Sequence, residues 1–252
     1  MITSKSQKVV DCKEKNKYRA KKYLFISILV LFLLWFTYSF MFTRSEGKRV
    51  QCYARVYQYA LALRNYSDYY GSYPQYYSVD GTPLWSWRFI VEQPPYIGLD
   101  FRKDEIWNSE HNLPLVKRID TDKHHICPGS SSKDNLATYV AVTGPGTVWT
   151  EYNNGRLKKP RSYYSEMIIA IETTESKCRW AEPGDDVSPE DVIRLFQADP
   201  GLVKNSKFWP IIKCHWPKYY ISTDGGVHQF SEIKNIEELK RRLILSSDII
   251  DE

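Results

Sequence analysis

The chain has 252 residues, of which 42% are hydrophobic and 26% are charged, fractions that are ordinary for a globular protein. Its net charge is +5, but residues 1–22 alone carry eight basic and two acidic residues, a net charge of +6. The remaining residues therefore have a net charge of −1. This balance leaves no excess of basic charge for nucleic-acid binding, and we predict no nucleic-acid partner.

Residues 23–42 form an apolar run without charge, Gly or Pro, YLFISILVLFLLWFTYSFMF. Twenty residues in a helix span about 30 Å, the thickness of a bilayer's hydrocarbon core, and a helix satisfies its own backbone groups. The run is longer than the apolar region of a signal peptide, about 7–15 residues, and no small-x-small cleavage pattern follows it. Core helices of this length rarely lack a polar face. We therefore predict an uncleaved membrane-spanning helix at residues 23–43, with the lipid bilayer as the partner of residues 23–42.

The basic segment 1–22 predicts the orientation of this helix. Positive charge is retained on the cytoplasmic side of a membrane. We therefore expect a single-pass protein of the cell (inner) membrane with a basic cytoplasmic tail, residues 1–22, and an extracytoplasmic domain, residues 44–252. This domain is long enough to bury its own hydrophobic core.

The exported domain begins with a helical pattern. Apolar residues recur at three- and four-residue spacing from Tyr53 to Leu61, and we expect Gly71 and Pro74 to end this amphipathic helix. Residues 71–115 are rich in turn residues. In this segment Leu84–Ile90 fits either a short helix or a strand.

The second half of the domain contains two runs that predict buried strands, LATYVAV at residues 136–142 and MIIAI at residues 167–171. Ser188 and Pro189 predict the start of a helix that extends to about Gln197. Two short runs, residues 219–222 and 227–230, flank Thr-Asp-Gly-Gly and predict a hairpin. A capping-box pattern formed by Asn235 and Glu238 predicts a final helix.

Four cysteines lie in the predicted extracytoplasmic domain: Cys52, Cys127, Cys178 and Cys214. Disulfides persist in such a compartment, and four cysteines allow three pairings. The cysteines are widely separated and form no C-x-x-C motif, so we predict no metal site and no cofactor.

No segment has the residue pattern of a catalytic site, and we expect no enzymatic activity. The Asp185–Asp186 pair comes with no recognisable base or nucleophile, and Ser130–Ser132 lacks the strand-turn-helix setting of a nucleophile elbow. Aromatic residues in the turn-rich segment suggest an alternative function. Tyr and Trp side chains stack on sugars or on a partner protein, so an exported glycan- or peptide-binding surface would use Tyr73, Tyr77, Trp85 and Trp87.

Several motifs occur in one order along residues 50–245: CYARVYQYALALRNYSDYYGSYP from Cys52, DGTPLWSWR from Asp80, WNSEHN from Trp107, TYVAVTGPGT from Thr138, WAEP from Trp180 and DGGV from Asp224. In this order they resemble a bacterial pseudopilin-like family of unknown function, related to the G/H-type pilin-like proteins of type II secretion. The resemblance implies an α+β fold in which the membrane helix leads into an amphipathic helix packed on an antiparallel sheet, with loop-rich insertions and a C-terminal helix. It also implies a structural or protein-interaction role, with other envelope proteins as partners.

The sequence departs from the pilin pattern at its processing site. Lys22 occupies the position of the Gly that prepilin peptidase requires, and residues 23–27 contain no Glu. We therefore expect an anchored protein that is neither processed nor assembled into filaments. The resemblance further implies the disulfide pattern, because Cys52 and Cys127 match positions of the family. The additional cysteines, Cys178 and Cys214, are then expected to pair with each other.

Overall fold

A computed structural model describes residues 3–78, 80–92, 98–120, 126–128, 136–154, 166–173, 176, 178–184, 186–198 and 219–245. The chain divides into two compact units, residues 1–46 and residues 47–252. Helix α1 (Thr3–Tyr70) begins in the first unit and ends in the second.

In the first unit, the described residues belong to helix α1. From Lys21 onward this helix is long and apolar enough to cross a membrane, by length and composition. Its most apolar window has a mean hydropathy of 2.3, and none of that window is buried in the protein. The hydroxyls of Ser27 and Thr37 donate hydrogen bonds to carbonyl oxygens of the preceding helical turn, so these polar groups are satisfied within the helix.

The second unit contains a four-stranded antiparallel sheet with the strand order β3-β4-β5-β6. Its strands are β3 (Tyr139–Ala141), β4 (Ile168–Glu172), β5 (Tyr219–Ser222) and β6 (Val227–Gln229). A separate two-stranded sheet pairs β1 (Tyr76–Tyr77) with β2 (Pro83–Trp85). The further helices are α2 (Trp87–Val91), α3 (Asn112–Asp120), α4 (Val148–Asn153), α5 (Pro189–Ala198) and α6 (Ile236–Leu243).

One face of the four-stranded sheet packs against helix α1. The buried side chains that α1 contributes to this cluster are Cys52, Val56, Tyr59, Ala60 and Leu63. They share the cluster with alternate residues of the strands, such as Tyr139 and Ala141 of β3. Because side chains of a strand alternate between the two faces, this arrangement leaves Val140 for the opposite face.

The opposite face of the sheet packs against helices α5 and α6. Val140, Ile171 and Tyr220 lie in one buried cluster with Phe196 of α5 and Leu239 of α6. Strand β4 is buried along its whole length, because helices cover both faces of the sheet. This double coverage explains why its sequence, IIAIE, is apolar at successive positions.

Most of the predicted elements are confirmed, with small changes at their ends. The strand predicted at residues 136–142 is shorter in the structure, Tyr139–Ala141. The strand predicted at residues 167–171 is shifted by one residue, to Ile168–Glu172. Helix α1 ends before Gly71, whose φ of +67° lies in the left-handed region that favours glycine. Ser188 caps α5 by accepting a hydrogen bond of 3.1 Å from the backbone N–H of Asp191.

The capping pattern of helix α6 differs from the predicted box in one contact. The side-chain oxygen of Asn235 accepts a 2.8 Å hydrogen bond from the backbone N–H of Glu238, as expected. The carboxylate of Glu238, however, accepts its hydrogen bond from the backbone N–H of Lys234, one residue before the cap. The acidic side chain therefore satisfies a donor just outside the helix.

Residues 84–90, whose sequence fits either a short helix or a strand, belong partly to strand β2 and partly to helix α2. Strand β2 ends at Trp85, and Ser86 caps helix α2 by accepting a hydrogen bond from the backbone N–H of Phe89. The side chain of Arg88 is fully buried. Its guanidinium donates to the carbonyl oxygens of Tyr139 and Trp180, at 2.8 and 3.1 Å. This arginine therefore connects α2 to the sheet and to the loop that carries the WAEP motif.

Candidate functional site

The aromatic residues expected to form an exposed binding surface are mostly buried. Tyr73 stacks on Trp149 with ring centroids 4.7 Å apart, and Trp87 contacts the same Trp149 edge-on at 5.8 Å. Trp85 stacks on Phe89 at 3.7 Å. The structure thus corrects the expectation that Tyr73, Trp85 and Trp87 present their rings to solvent, because these rings fill the core of a loop-rich region. The side chain of Tyr77 lies outside the described residues.

A different aromatic surface lies at the C-terminal end of α1, beside a cavity of about 790 Å³ that we call the aromatic cavity. Its lining residues come from the last three turns of α1, from the segment 85–91 and from Lys103. Trp85 and Phe89 form part of its wall, and the indole N–H of Trp85 donates a 3.1 Å hydrogen bond to the carbonyl oxygen of Lys103.

Three tyrosines of α1 line the aromatic cavity. Tyr69 is 82% exposed and Tyr70 is 61% exposed, and their ring centroids are 4.7 Å apart. The ring centroid of Tyr66 lies 4.4 Å from that of Tyr70, and Tyr66 is partly buried. Its burial, together with the neighbouring Tyr70, raises the pKa of the Tyr66 phenol. The cavity therefore offers aromatic faces, phenol hydroxyl groups and the exposed residue Lys103, a set suited to stacking and hydrogen bonding with a polar ligand.

A serine, a histidine and a carboxylate come together on the β5–β6 hairpin. His228 Nε2 lies 3.1 Å from the hydroxyl of Ser222, and His228 Nδ1 lies 3.7 Å from the carboxylate of Glu232. This order of groups is that of a hydrolase triad. However, Ser222 is fully buried, and its hydroxyl donates a 2.6 Å hydrogen bond to Asp224. The Ser222 hydroxyl is therefore closed to solvent, and it contacts Asp224 and the carbonyl oxygen of Gly226 within the hairpin turn.

The predicted disulfide between Cys52 and Cys127 is present, with Cα atoms 4.9 Å apart. It joins helix α1 to the segment before β3, where the backbone N–H of Cys127 donates to the hydroxyl of Thr138. The second predicted pair remains a prediction, because Cys214 lies outside the described residues.

The buried carboxyl group of Glu172 lies beside this disulfide. Glu172 is the last residue of β4 and is 4% exposed. One of its carboxylate oxygens and the Sγ atoms of Cys52 and Cys127 all lie within 4.8 Å of one another. No pattern in the sequence indicated this contact, because the three residues come from three separate elements.

Residues 43–179, more than half of the chain, match the model of a family described as a protein of unknown function, DUF1559. The chain belongs to the DUF1559 family. In this DUF1559 protein the match includes the disulfide, the aromatic cavity and Glu172, whereas the β5–β6 hairpin and helix α6 lie beyond it. No curated protein and no solved structure matches the chain.

Proposed function

We propose that this DUF1559 protein is a single-pass membrane protein whose second unit is held outside the cytoplasm and has a structural or protein-interaction role. The observation that carries the proposal is the apolar part of α1, whose most apolar window has a mean hydropathy of 2.3 and no buried share. An apolar surface of this length is unfavourable in water and favourable in a bilayer. The basic tail, residues 1–22, supports a cytoplasmic N-terminus.

The Cys52–Cys127 disulfide supports an extracytoplasmic second unit. Structural disulfides persist in oxidising compartments and are rare in the cytosol. Both cysteines are buried in the core between α1 and the sheet. A buried bridge of this kind is typical of a structural disulfide, which agrees with export of the second unit.

We further infer that the protein is of pseudopilin type and non-catalytic. Support for the type comes from the packing of α1 on an antiparallel sheet and from the order of the sequence motifs. Support for a non-catalytic role comes from the hairpin, where the serine of the Ser222–His228–Glu232 group is buried. The expected partners are other proteins of the cell envelope.

Reporter fusions test the proposed topology. Alkaline phosphatase becomes active only after export, whereas green fluorescent protein fluoresces when it remains in the cytoplasm. We expect phosphatase activity from a fusion after residue 252 and fluorescence from a fusion before residue 1. Fluorescence from the C-terminal fusion, with no phosphatase activity, would contradict the proposal.

The aromatic cavity favours a second candidate function, the binding of an exported glycan or peptide. Two exposed tyrosines, Tyr69 and Tyr70, and the exposed residue Lys103 lie together at this cavity. A soluble disaccharide-peptide fragment of cell-wall glycan is a suitable probe, because it offers sugar faces for stacking and carboxylates for Lys103.

Isothermal titration calorimetry of the full chain in detergent, with this fragment as the titrant, tests the binding function. We expect the double substitution Tyr69→Ala/Tyr70→Ala to weaken binding about tenfold, since it removes two stacking faces. Tyr57→Ala is the matched control, because Tyr57 is an exposed tyrosine of α1 that does not line the cavity. Equal affinities of the two variants, or no binding by the unmodified chain, would exclude this ligand class.

A further inference from the structure

We propose that the cluster of Cys52, Cys127 and Glu172, in its reduced form, is a binding site for a thiophilic divalent cation of the Zn²⁺ class. Two sulfur atoms and one carboxylate oxygen lie within 4.8 Å of one another. All three side chains are buried, in a core formed by α1, the segment before β3 and the end of β4. The cluster is thus a compact set of ligand atoms that the fold holds in place.

The three groups are ligands that Zn²⁺ accepts. Zinc binds cysteine sulfur at about 2.3 Å and carboxylate oxygen at about 2.0–2.2 Å, in a tetrahedral arrangement. The ligand atoms of such a site are separated by about 3.5–3.8 Å. In the disulfide the two sulfur atoms are bonded and are closer together than this, so they must move apart after reduction. The carboxylate oxygen of Glu172 already lies within 4.8 Å of both sulfur atoms.

Reduction converts the disulfide into the metal-binding form. A thiol or phosphine reductant supplies two electrons, the S–S bond breaks, and Cys52 and Cys127 each take up one proton. The cation then displaces these two protons, since cysteine binds metal as a thiolate. Glu172 supplies the third ligand as a carboxylate, and a water molecule or another small ligand completes the tetrahedron.

The local charges support a divalent cation. Two thiolates and one carboxylate carry a charge of −3, and a divalent cation reduces this charge to −1. Arg55 lies nearby, because its guanidinium donates a hydrogen bond to the carbonyl oxygen of Ile126, the residue before Cys127. The occupied cluster together with Arg55 is therefore neutral, which lowers the cost of burying its charges.

The disulfide and the metal site exclude each other, because one pair of sulfur atoms forms both. The oxidised protein has no thiolate to offer, so metal binding reports the redox state of this pair. The exported protein with an intact disulfide is the metal-free form. The reduced chain, for example before the disulfide forms, is the form that takes the cation.

Cobalt binding to the full chain in detergent tests the proposal. The triple substitution Cys12→Ser/Cys178→Ser/Cys214→Ser provides a reference chain in which Cys52 and Cys127 are the only cysteines. After reduction with a phosphine under argon, we expect one Co²⁺ per chain, a thiolate-to-cobalt charge-transfer band, and loss of that band when Zn²⁺ is added. The unreduced reference chain is expected to bind no Co²⁺.

Two glutamate substitutions in the reference chain separate a ligand role from a structural role. Glu172→Gln removes the third ligand and is expected to weaken Co²⁺ binding at least about tenfold. Glu151→Gln is the matched control, because Glu151 is a buried glutamate of α4 that is 2% exposed. Its carboxylate accepts a hydrogen bond from the backbone N–H of Gly146 and is not part of the cluster. We expect this control to bind Co²⁺ as the reference chain does.

Either of two Co²⁺-binding results would overturn the proposal. One is a reduced and folded reference chain without a charge-transfer band, and the other is an equal Co²⁺ affinity of the Glu172→Gln and Glu151→Gln chains. Circular dichroism reports whether reduction unfolds the second unit. If it does, Zn²⁺ is expected to restore the native spectrum, since metal binding and folding are coupled, and failure to restore it contradicts the proposal as well.

Discussion

The guanidinium of Arg88 donates a 2.8 Å hydrogen bond from Nη1 to the carbonyl oxygen of Tyr139, at the start of strand β3. Its Nε atom donates to Trp180, and its Nη2 atom donates to the carbonyl oxygens of Arg179 and Glu182. One buried cation therefore satisfies four backbone acceptors from two segments. This side chain therefore connects the WSWR motif to the WAEP motif in the fold.

We expect Arg88→Met to reduce the free energy of unfolding by at least about 3 kcal/mol, because four backbone carbonyl oxygens, two of them buried, each lose a hydrogen bond to the guanidinium. Arg88→Lys is expected to recover only part of this loss, since an ammonium group lacks the planar fork of guanidinium. Urea unfolding of the full chain in detergent, followed by tryptophan fluorescence, measures the change. Arg102→Met is the control, because Arg102 forms an exposed ion pair with Glu105 and should cost less than about 1 kcal/mol. A loss for Arg88→Met no larger than for this control would contradict the assigned role.

The phenol of Tyr220 makes the free energy of unfolding depend on pH in the alkaline range. Burial raises the pKa of Tyr220 to about 12, and the phenol oxygen accepts a 3.1 Å hydrogen bond from Arg242. The pKa of a tyrosine phenol in the unfolded chain is about 10, so the folded state favours the protonated phenol. This preference stabilises the fold in full below about pH 10. That contribution is lost as the pH rises through about 12.

We therefore expect the free energy of unfolding to fall more steeply between pH 10 and 12 for the unmodified chain than for Tyr220→Phe. The measurement is urea unfolding at a series of pH values in this interval. Parallel pH profiles of the two chains would show that Tyr220 does not ionise with a raised pKa in the folded protein.

The predicted elements that the structure confirms have strong local signals. Gly71 ends α1, Ser188 begins α5, and the Asp224–Gly226 turn forms the hairpin, each through contacts within a few residues. In the hairpin, the side chain of Asp224 accepts a hydrogen bond from the backbone N–H of Gly226. Such contacts depend on residue types at fixed short spacings, so they are visible in a sequence.

The features that the sequence did not predict depend on contacts between distant segments. Helix α3 was missed because its start at Asn112 is fixed by that residue's side chain, which exchanges hydrogen bonds with the backbone of Arg102. The burial of Trp85 and Trp87 was missed for a similar reason. An aromatic residue in a turn-rich segment fits either a surface or a core, and only the positions of Phe89 and Trp149 decide between them.

The second disulfide, Cys178–Cys214, is tested by peptide mapping. We expect a non-reducing digest of the exported protein to contain a Cys178–Cys214 linked peptide and a Cys52–Cys127 linked peptide, in equal amounts. A bridge that closes a loop of this length contributes roughly 4 kcal/mol in the chain-entropy model. A peptide that links Cys178 to any cysteine other than Cys214 would show that the second pairing is wrong.

The absence of pilin processing signals is tested by restoring them. We expect prepilin peptidase to leave the unmodified chain uncut, since Lys22 lacks the required Gly and Ser27 occupies the position of the Glu. The double substitution Lys22→Gly/Ser27→Glu supplies both residues and is expected to allow cleavage after position 22. Incubation with the peptidase in detergent, followed by mass spectrometry, measures the products. Cleavage of the unmodified chain, or its recovery in sheared surface filaments, would contradict the prediction.

Protease protection combined with intact mass tests the membrane anchor most directly. Spheroplasts that contain the protein are treated with added protease, and the mass of the membrane-bound fragment is measured by mass spectrometry. We expect a full-length chain before treatment, and afterwards a protected fragment that retains residues 1–22 and the apolar part of α1. A mature chain that starts near residue 44 before treatment would contradict the uncleaved anchor. A second unit that resists the protease until the membrane is broken would contradict its extracytoplasmic location.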